Sequence, residues 1–320
     1  MAAGAVRVRL PCPVARHPSP LTGRACRVGL ERRRAFTLVE MLVVMAILGI
    51  IAGLAMPALK NFGRTDAMTA ATAQMVADVA RARQLAISQR TTVYMVFLPA
   101  NFWKNPFYNT PAWYNYWWSN LSPAQRTTVT NLCDRQLTGY TFMAYGAVGD
   151  QPGNHLWHYL ASWQSLPEGT FIATNKFDFP GSLVSSAPPS AVAPVFNQWD
   201  KDYPHSDRNA IYAFTNVAVP FPTEGAPLLS LPCLAFNYLG QLTTQTLTPQ
   251  PLQQDEYIPL VRGNVMPAID SNTRAYLVTN APPGSPQVFE VPPGNSTNAY
   301  NIIHIDWLTG RATLEQPRMQ

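Results

Sequence analysis

An α+β fold is predicted, with one long N-terminal helix followed by a β-rich region, and three observations predict it. No charged residue lies between Met41 and Leu59. No proline occurs from Ala58 to Leu98, where the composition is rich in alanine. After Arg90 the apolar period changes from that of a helix to that of strands. The 320 residues are 47% hydrophobic and only 13% charged, which excludes a disordered chain, and 30 prolines exclude a mainly helical bundle. Four cysteines are too few for a disulfide scaffold.

Charge is the first guide to organisation. The net charge of +5 is uneven: eight arginines against Glu31 give residues 1–35 a charge of +7, and the remaining 15 basic and 17 acidic residues give −2. Arg32, Arg33 and Arg34 stand directly before the apolar run, as a basic flank does when it holds the N-terminus in the cytoplasm. A basic arm for nucleic acid or phospholipid is the alternative reading. The 19-residue window Met41–Leu59 is long enough to cross a hydrocarbon core of about 30 Å at about 1.5 Å per residue. Only Glu40 interrupts the wider run from Ala35 to Leu59.

The residues Arg33-Arg34-Ala35-Phe36-Thr37-Leu38-Val39-Glu40-Met41-Leu42-Val43-Val44 resemble the signature of type IV prepilins and pseudopilins. The resemblance implies cleavage between Ala35 and Phe36 by a prepilin peptidase, N-methylation of Phe36, and Glu40 as fifth residue of the mature chain. The family usually has glycine before the cut, and Ala35 departs from that. A leader of 35 residues is long for the family, and a start at Val28 would give the leader VGLERRRA.

A carboxylate inside a spanning helix needs a partner, and the amine of a neighbouring subunit's Phe36 supplies one. Such a pair would also set the register between helices. Pro57 removes one hydrogen bond of the same helix, at a place where family members also carry proline. The resemblance further implies other pilin or pseudopilin subunits and an inner-membrane assembly platform as partners. It places the protein in the bacterial inner membrane as a single-pass protein, N-terminus cytoplasmic and head periplasmic.

The expected organisation is therefore a leader at 1–35, a transmembrane and polymerisation helix at 36–59, an amphipathic helix at 60–90 and a β-rich head at 91–320. Met68, Thr72, Met75, Val79, Ala82 and Ala86 form one stripe at spacings of four and three, read as core. Gln74, Asp78, Arg81 and Ser88 fall on the other side. Helix from Phe36 to Gln89 would span about 81 Å. Strands are predicted at Thr91–Leu98, Gly139–Val148, Ile211–Val219, Cys233–Tyr238, Ala275–Thr279 and Ile302–Trp307. The resemblance thus implies a pilin-like fold, the long helix packed on an antiparallel sheet.

Looser patterns resemble the H-type (GspH/FimT-like) minor pseudopilins: Ala80–Ile87 before a strand, Leu166-Pro167-Glu168-Gly169, Leu234–Gly240 and Ile303–Arg311. Gly240 and Gly310 read as hairpin-turn glycines. No nucleic-acid partner is expected. The arginine pair associated with DNA capture in some relatives is incomplete here, because Ala312-Thr313 follows Gly310-Arg311, and the chain beyond the leader is net negative.

Catalytic motifs are missing: there is no G-x-S-x-G, H-E-x-x-H, P-loop or C-x-x-C. A structural subunit without cofactor is expected, not an enzyme. Asp200, Asp202 and Asp207 are the candidates for calcium, against a turn solvated by its own acids. Cys133 and Cys233 read either as a disulfide of an oxidising compartment or as two inert core thiols. His155 and His158, spaced i and i+3, read as a surface pair rather than as metal ligands. Residues 101–120 hold nine aromatic side chains, read as structural packing or as an adhesive, sugar-binding loop. DNA binding and adhesion are the alternatives to a structural role in a type II secretion pseudopilus or type IV pilus.

Overall fold

The structure is a computed structural model, and it describes residues 38–104, 111–147, 149–150, 155–177, 213–244, 251–269, 274, 276, 284–298 and 301–315. An N-terminal helix is followed by antiparallel sheets, the predicted α+β arrangement. Helix α1 covers Leu38–Gln89, and the chain divides between Ala55 and Met56 into two compact units.

Within the second unit, the predicted stripe of α1 forms the centre of the core. Met75, Val79, Ala82 and Ala86 are fully buried, and Met68 and Thr72 nearly so. They pack on two sheets. The first is built from β1 (Val93–Phe97), β2 (Gly139–Tyr145), β3 (Trp157–Tyr159), β4 (Gln164–Ser165), β6 (Thr215–Pro220) and β7 (Leu228–Phe236), in the order β3-β2-β1-β7-β6 with β4 also on β2. The second holds β5 (Thr170–Ile172), β8 (Glu256–Met266), β9 (Gln287–Glu290), β10 (Asn301–Ile305) and β11 (Ala312–Glu315), in the order β11-β10-β8-β5 with β9 on the far part of β8.

Successive residues of a strand point to opposite faces, and β1 uses both. Val93, Met95 and Phe97 join the α1 core, whereas Tyr94, Val96 and Leu98 join a second cluster on the other face. Because both faces are covered, all five β1 residues are buried and the strand reads as an unbroken apolar run. The second sheet gives Ile258, Leu260, Ile303 and Ile305 to the α1 core. Its other face gathers Phe171, Tyr257, Val261 and Ile302.

Helices α2 (Pro111–Ser119) and α3 (Pro123–Leu132) lie within the β-rich head, where only strands and loops were expected. Ser122 caps α3, accepting from the Gln125 backbone N–H while the Gln125 side chain accepts from the Ser122 N–H. This reciprocal pair plus Pro123 in the first turn is a sequence-readable helix start. Phe102, Trp103, Tyr114 and Trp117 are buried in the second cluster with Leu121, Val129 and Leu132. Among the described residues, the aromatic segment is therefore mainly packing for the outer face of the first sheet. Tyr116 stays exposed.

The polar side of α1 is also partly corrected. Gln74 and Asp78 do not face away from the head: Gln74 Nε2 donates to Tyr140 Oη at 2.7 Å and to the Ser165 carbonyl at 3.1 Å, and Tyr140 donates to Asp78 Oδ2. Asn301 Nδ2 donates to Thr72 Oγ1 at 3.2 Å. These bonds stitch α1 to β2 and β10 across its polar flanks.

Candidate processing and assembly segment

The described part of the first unit, from Leu38, is helical and mostly apolar. Leu38, Val39, Met41, Leu42, Met45, Ile47, Leu48, Ile50 and Ile51 are all more than half exposed. A Cβ added at Gly49 or Gly53 would meet nothing within 4 Å. An apolar helix with exposed side chains on every side is one that functions against lipid or other helices, since such a surface is not stable in water. Glu40 lies in the first turn of α1 and is exposed. An acid in that turn interacts favourably with the positive end of the helix dipole.

The described side chains of this stretch end at Gly53, and among the described residues no helix is long and apolar enough to cross a membrane. Pro57 lies within α1. Ala35 and Phe36, on either side of the expected cut, lie outside the described residues, as do Asp200, Asp202 and Asp207.

Residues 31–56 match the prokaryotic N-terminal methylation motif. The motif covers the basic flank, the expected cleavage position, Glu40 and the exposed apolar helix together. It supports the type IV prepilin and pseudopilin family, whose members are structural subunits processed by prepilin peptidase, and it supports a membrane-anchored chain that assembles with other subunits. No curated protein and no solved structure matches the chain.

Further along the chain, several titratable groups of the head are paired. His158 is on β3, not on a helix, so His155 and His158 do not share a helical face; His158 Nε2 lies 3.1 Å from Asp150 Oδ2. His304 is held between Asp255, 3.0 Å from Nε2, and Glu315, 2.8 Å from Nδ1, and stacks on Tyr257. Lys176 is fully buried, pairs with Glu256 and lies over the Phe214 ring at 4.6 Å. Burial pulls its pKa down while Glu256 opposes the shift. Among the described residues, no group of three or more His, Cys, Asp or Glu side chains is arranged to hold a metal ion.

Cys133 and Cys233 are two buried free thiols, not a bridge. Cys133 caps the end of α3, where its thiol donates to the Val129 carbonyl at 3.5 Å. Cys233 is on β7, paired with Val96 and Thr215. Burial pushes the Cys133 thiol up to about 12, with Asp134 adding to the shift, and burial likewise raises that of Cys233. Thiols of this kind are inert packing groups.

Gly240 and Gly310 do terminate turns, at φ of +80° and +62°. The sequence reading missed that the two turns touch. A Cβ on Gly310 would stand 2.1 Å from the Gly240 carbonyl oxygen, and Arg83 Nε of α1 donates to the Thr309 carbonyl at 2.6 Å.

Proposed function

We propose that this chain is a pilin-type structural subunit, an H-type minor pseudopilin or pilin, that works by assembly and not by catalysis. In this reading prepilin peptidase cuts between Ala35 and Phe36 on the cytoplasmic side and methylates the new Phe36 amine. Residues 36–59 then cross the inner membrane, with the arginine-rich leader inside and the head in the periplasm. The observation that carries the reading is that the methylation motif at residues 31–56 overlaps a helix whose described apolar side chains, between Leu38 and Ile51, are exposed.

The physical logic of assembly follows from what the membrane penalises. Glu40 costs a few kcal/mol in hydrocarbon unless it is paired or reaches the interface. Pairing with the Phe36 amine of a neighbouring subunit neutralises both charges and sets the stagger between helices. The exposed apolar residues of α1 exchange lipid for neighbouring helices as the subunit leaves the membrane for the filament. Pro57 supplies a point at which the backbone ladder is already short of one bond.

A type II secretion pseudopilus or a type IV pilus is the proposed destination, with the inner-membrane assembly platform and other pilin-type subunits as partners. Replacing Glu40 with Val separates processing from assembly. Leader removal is expected to persist, while incorporation into filaments sheared from cells is lost. Retained incorporation would contradict the role given to Glu40.

A further inference from the structure

A cleft of about 850 Å³ opens between α3, the β3–β4 connection and the β6–β7 loop. Its size is that of a small-molecule site. Its lining is mainly apolar and includes Leu132, Leu160, Ala161, Trp163 and Pro222. Trp163 is held in place: its Nε1 donates to the Pro222 carbonyl at 3.2 Å, and its ring meets Phe221 edge-on at 5.5 Å. The rim carries neutral polar groups, the Asn131 amide and the Ser162 and Thr223 hydroxyls, all on exposed residues.

The hydrogen bonds already made in the wall restrict what the cleft can take. Arg135, the cation of the lining, donates to the Trp163 carbonyl, and the carboxylate of Glu224 also lines the cleft, so an anion meets a negative charge there as well as a positive one. A peptide strand would need free backbone donors on the edge strand β3. Instead the Tyr159 N–H donates to Glu224 Oε1 at 2.7 Å and the Leu160 N–H to the Phe142 carbonyl at 2.8 Å. A wholly apolar ligand would strip water from Asn131, Ser162 and Thr223 and leave them unsatisfied, at a cost for each group. A ring with an apolar face and hydroxyls around its edge meets every feature, stacking on the indole and bonding to the rim.

We infer that this cleft is a binding site for a neutral oligosaccharide. The fixed Trp163 ring and the satisfied wall leave little to reorganise on binding.

The test uses the full chain in lauryl dimethylamine oxide micelles, a detergent without a sugar headgroup, with cellotriose, maltotriose and chitotriose as probes and trigalacturonic acid as the anionic comparison. Saturation-transfer NMR should show contact with at least one neutral trisaccharide at about 10 mM or below. Asn131→Arg and Ser162→Trp, both at exposed positions, should each weaken that binding about tenfold or more with the melting temperature unchanged. Two variants are used so that either still reports if the other fails to fold. Silence from all three neutral sugars, binding of the anionic sugar alone, or binding that both folded variants leave intact would overturn the assignment.

Discussion

Arg83 Nε donates to the Thr309 carbonyl oxygen at 2.6 Å, fastening helix α1 to the turn between β10 and β11. Gly310 follows immediately, with its α-carbon facing the Gly240 carbonyl of the turn after β7. One helix residue thus lies against a turn from each sheet: Arg83 also lies 3.0 Å from the place a Gly240 Cβ would occupy.

Gly310→Ala should therefore be costly. The new methyl meets backbone at 2.1 Å and the residue needs φ of +62°, so both space and backbone conformation oppose it. A loss of about 2 kcal/mol or more is expected by urea denaturation. Gly225→Ala, at φ of +74° but with open space around it, should cost less. Equal effects would show that the contact between the turns contributes little.

The same turn predicts a pH response. Hydrogen bonds from Thr309, side chain and backbone, hold the Asp306 carboxyl below its usual value of 3.8. The Ala147 N–H and His158 do the same for Asp150. A depressed folded pKa means stability that is present above the unfolded value and lost as pH falls through the folded one. The head should accordingly lose stability as pH drops below about 3.8, and Asp306→Asn should flatten part of that slope. An unchanged slope in the variant would remove Asp306 from the account.

Thiol chemistry gives an independent check on the core. With burial raising both thiols and Cys133 to about 12, neither should react with an aromatic disulfide reagent at pH 8 while the chain is folded. Both should react in denaturant. Rapid modification of folded protein would show that the cluster of α2 and α3 on the first sheet opens readily.

Much of the central packing could be read from residue spacing alone. The stripe Met68, Thr72, Met75, Val79, Ala82 and Ala86 is the buried stripe, because α1 packs along one face and the period records it. Strands β1, β2 and β10 were legible for the same reason, their β-branched and aromatic runs being bounded by turn residues. Strand β8 was not. Pro259 and Gly263 break its pattern, yet Pro259 sits between β10 and β5, with its carbonyl accepting from the Ala173 N–H. Helix α3 announced itself in Ser122-Pro123-Ala124-Gln125, a capping box that the strand-like setting concealed. Aromatic density in α2 hid the helical spacing of Tyr114 and Trp117. The contact between the Gly240 and Gly310 turns was beyond local pattern, since it joins two sheets through Arg83.

The central claim concerns a single bond. Mass spectrometry of the membrane-extracted protein from cells that contain prepilin peptidase should find a mature N-terminal peptide beginning at an N-methylated Phe36, with nothing of residues 1–35 attached. A chain that keeps its leader in those cells, or one cut at any other position, would contradict the account.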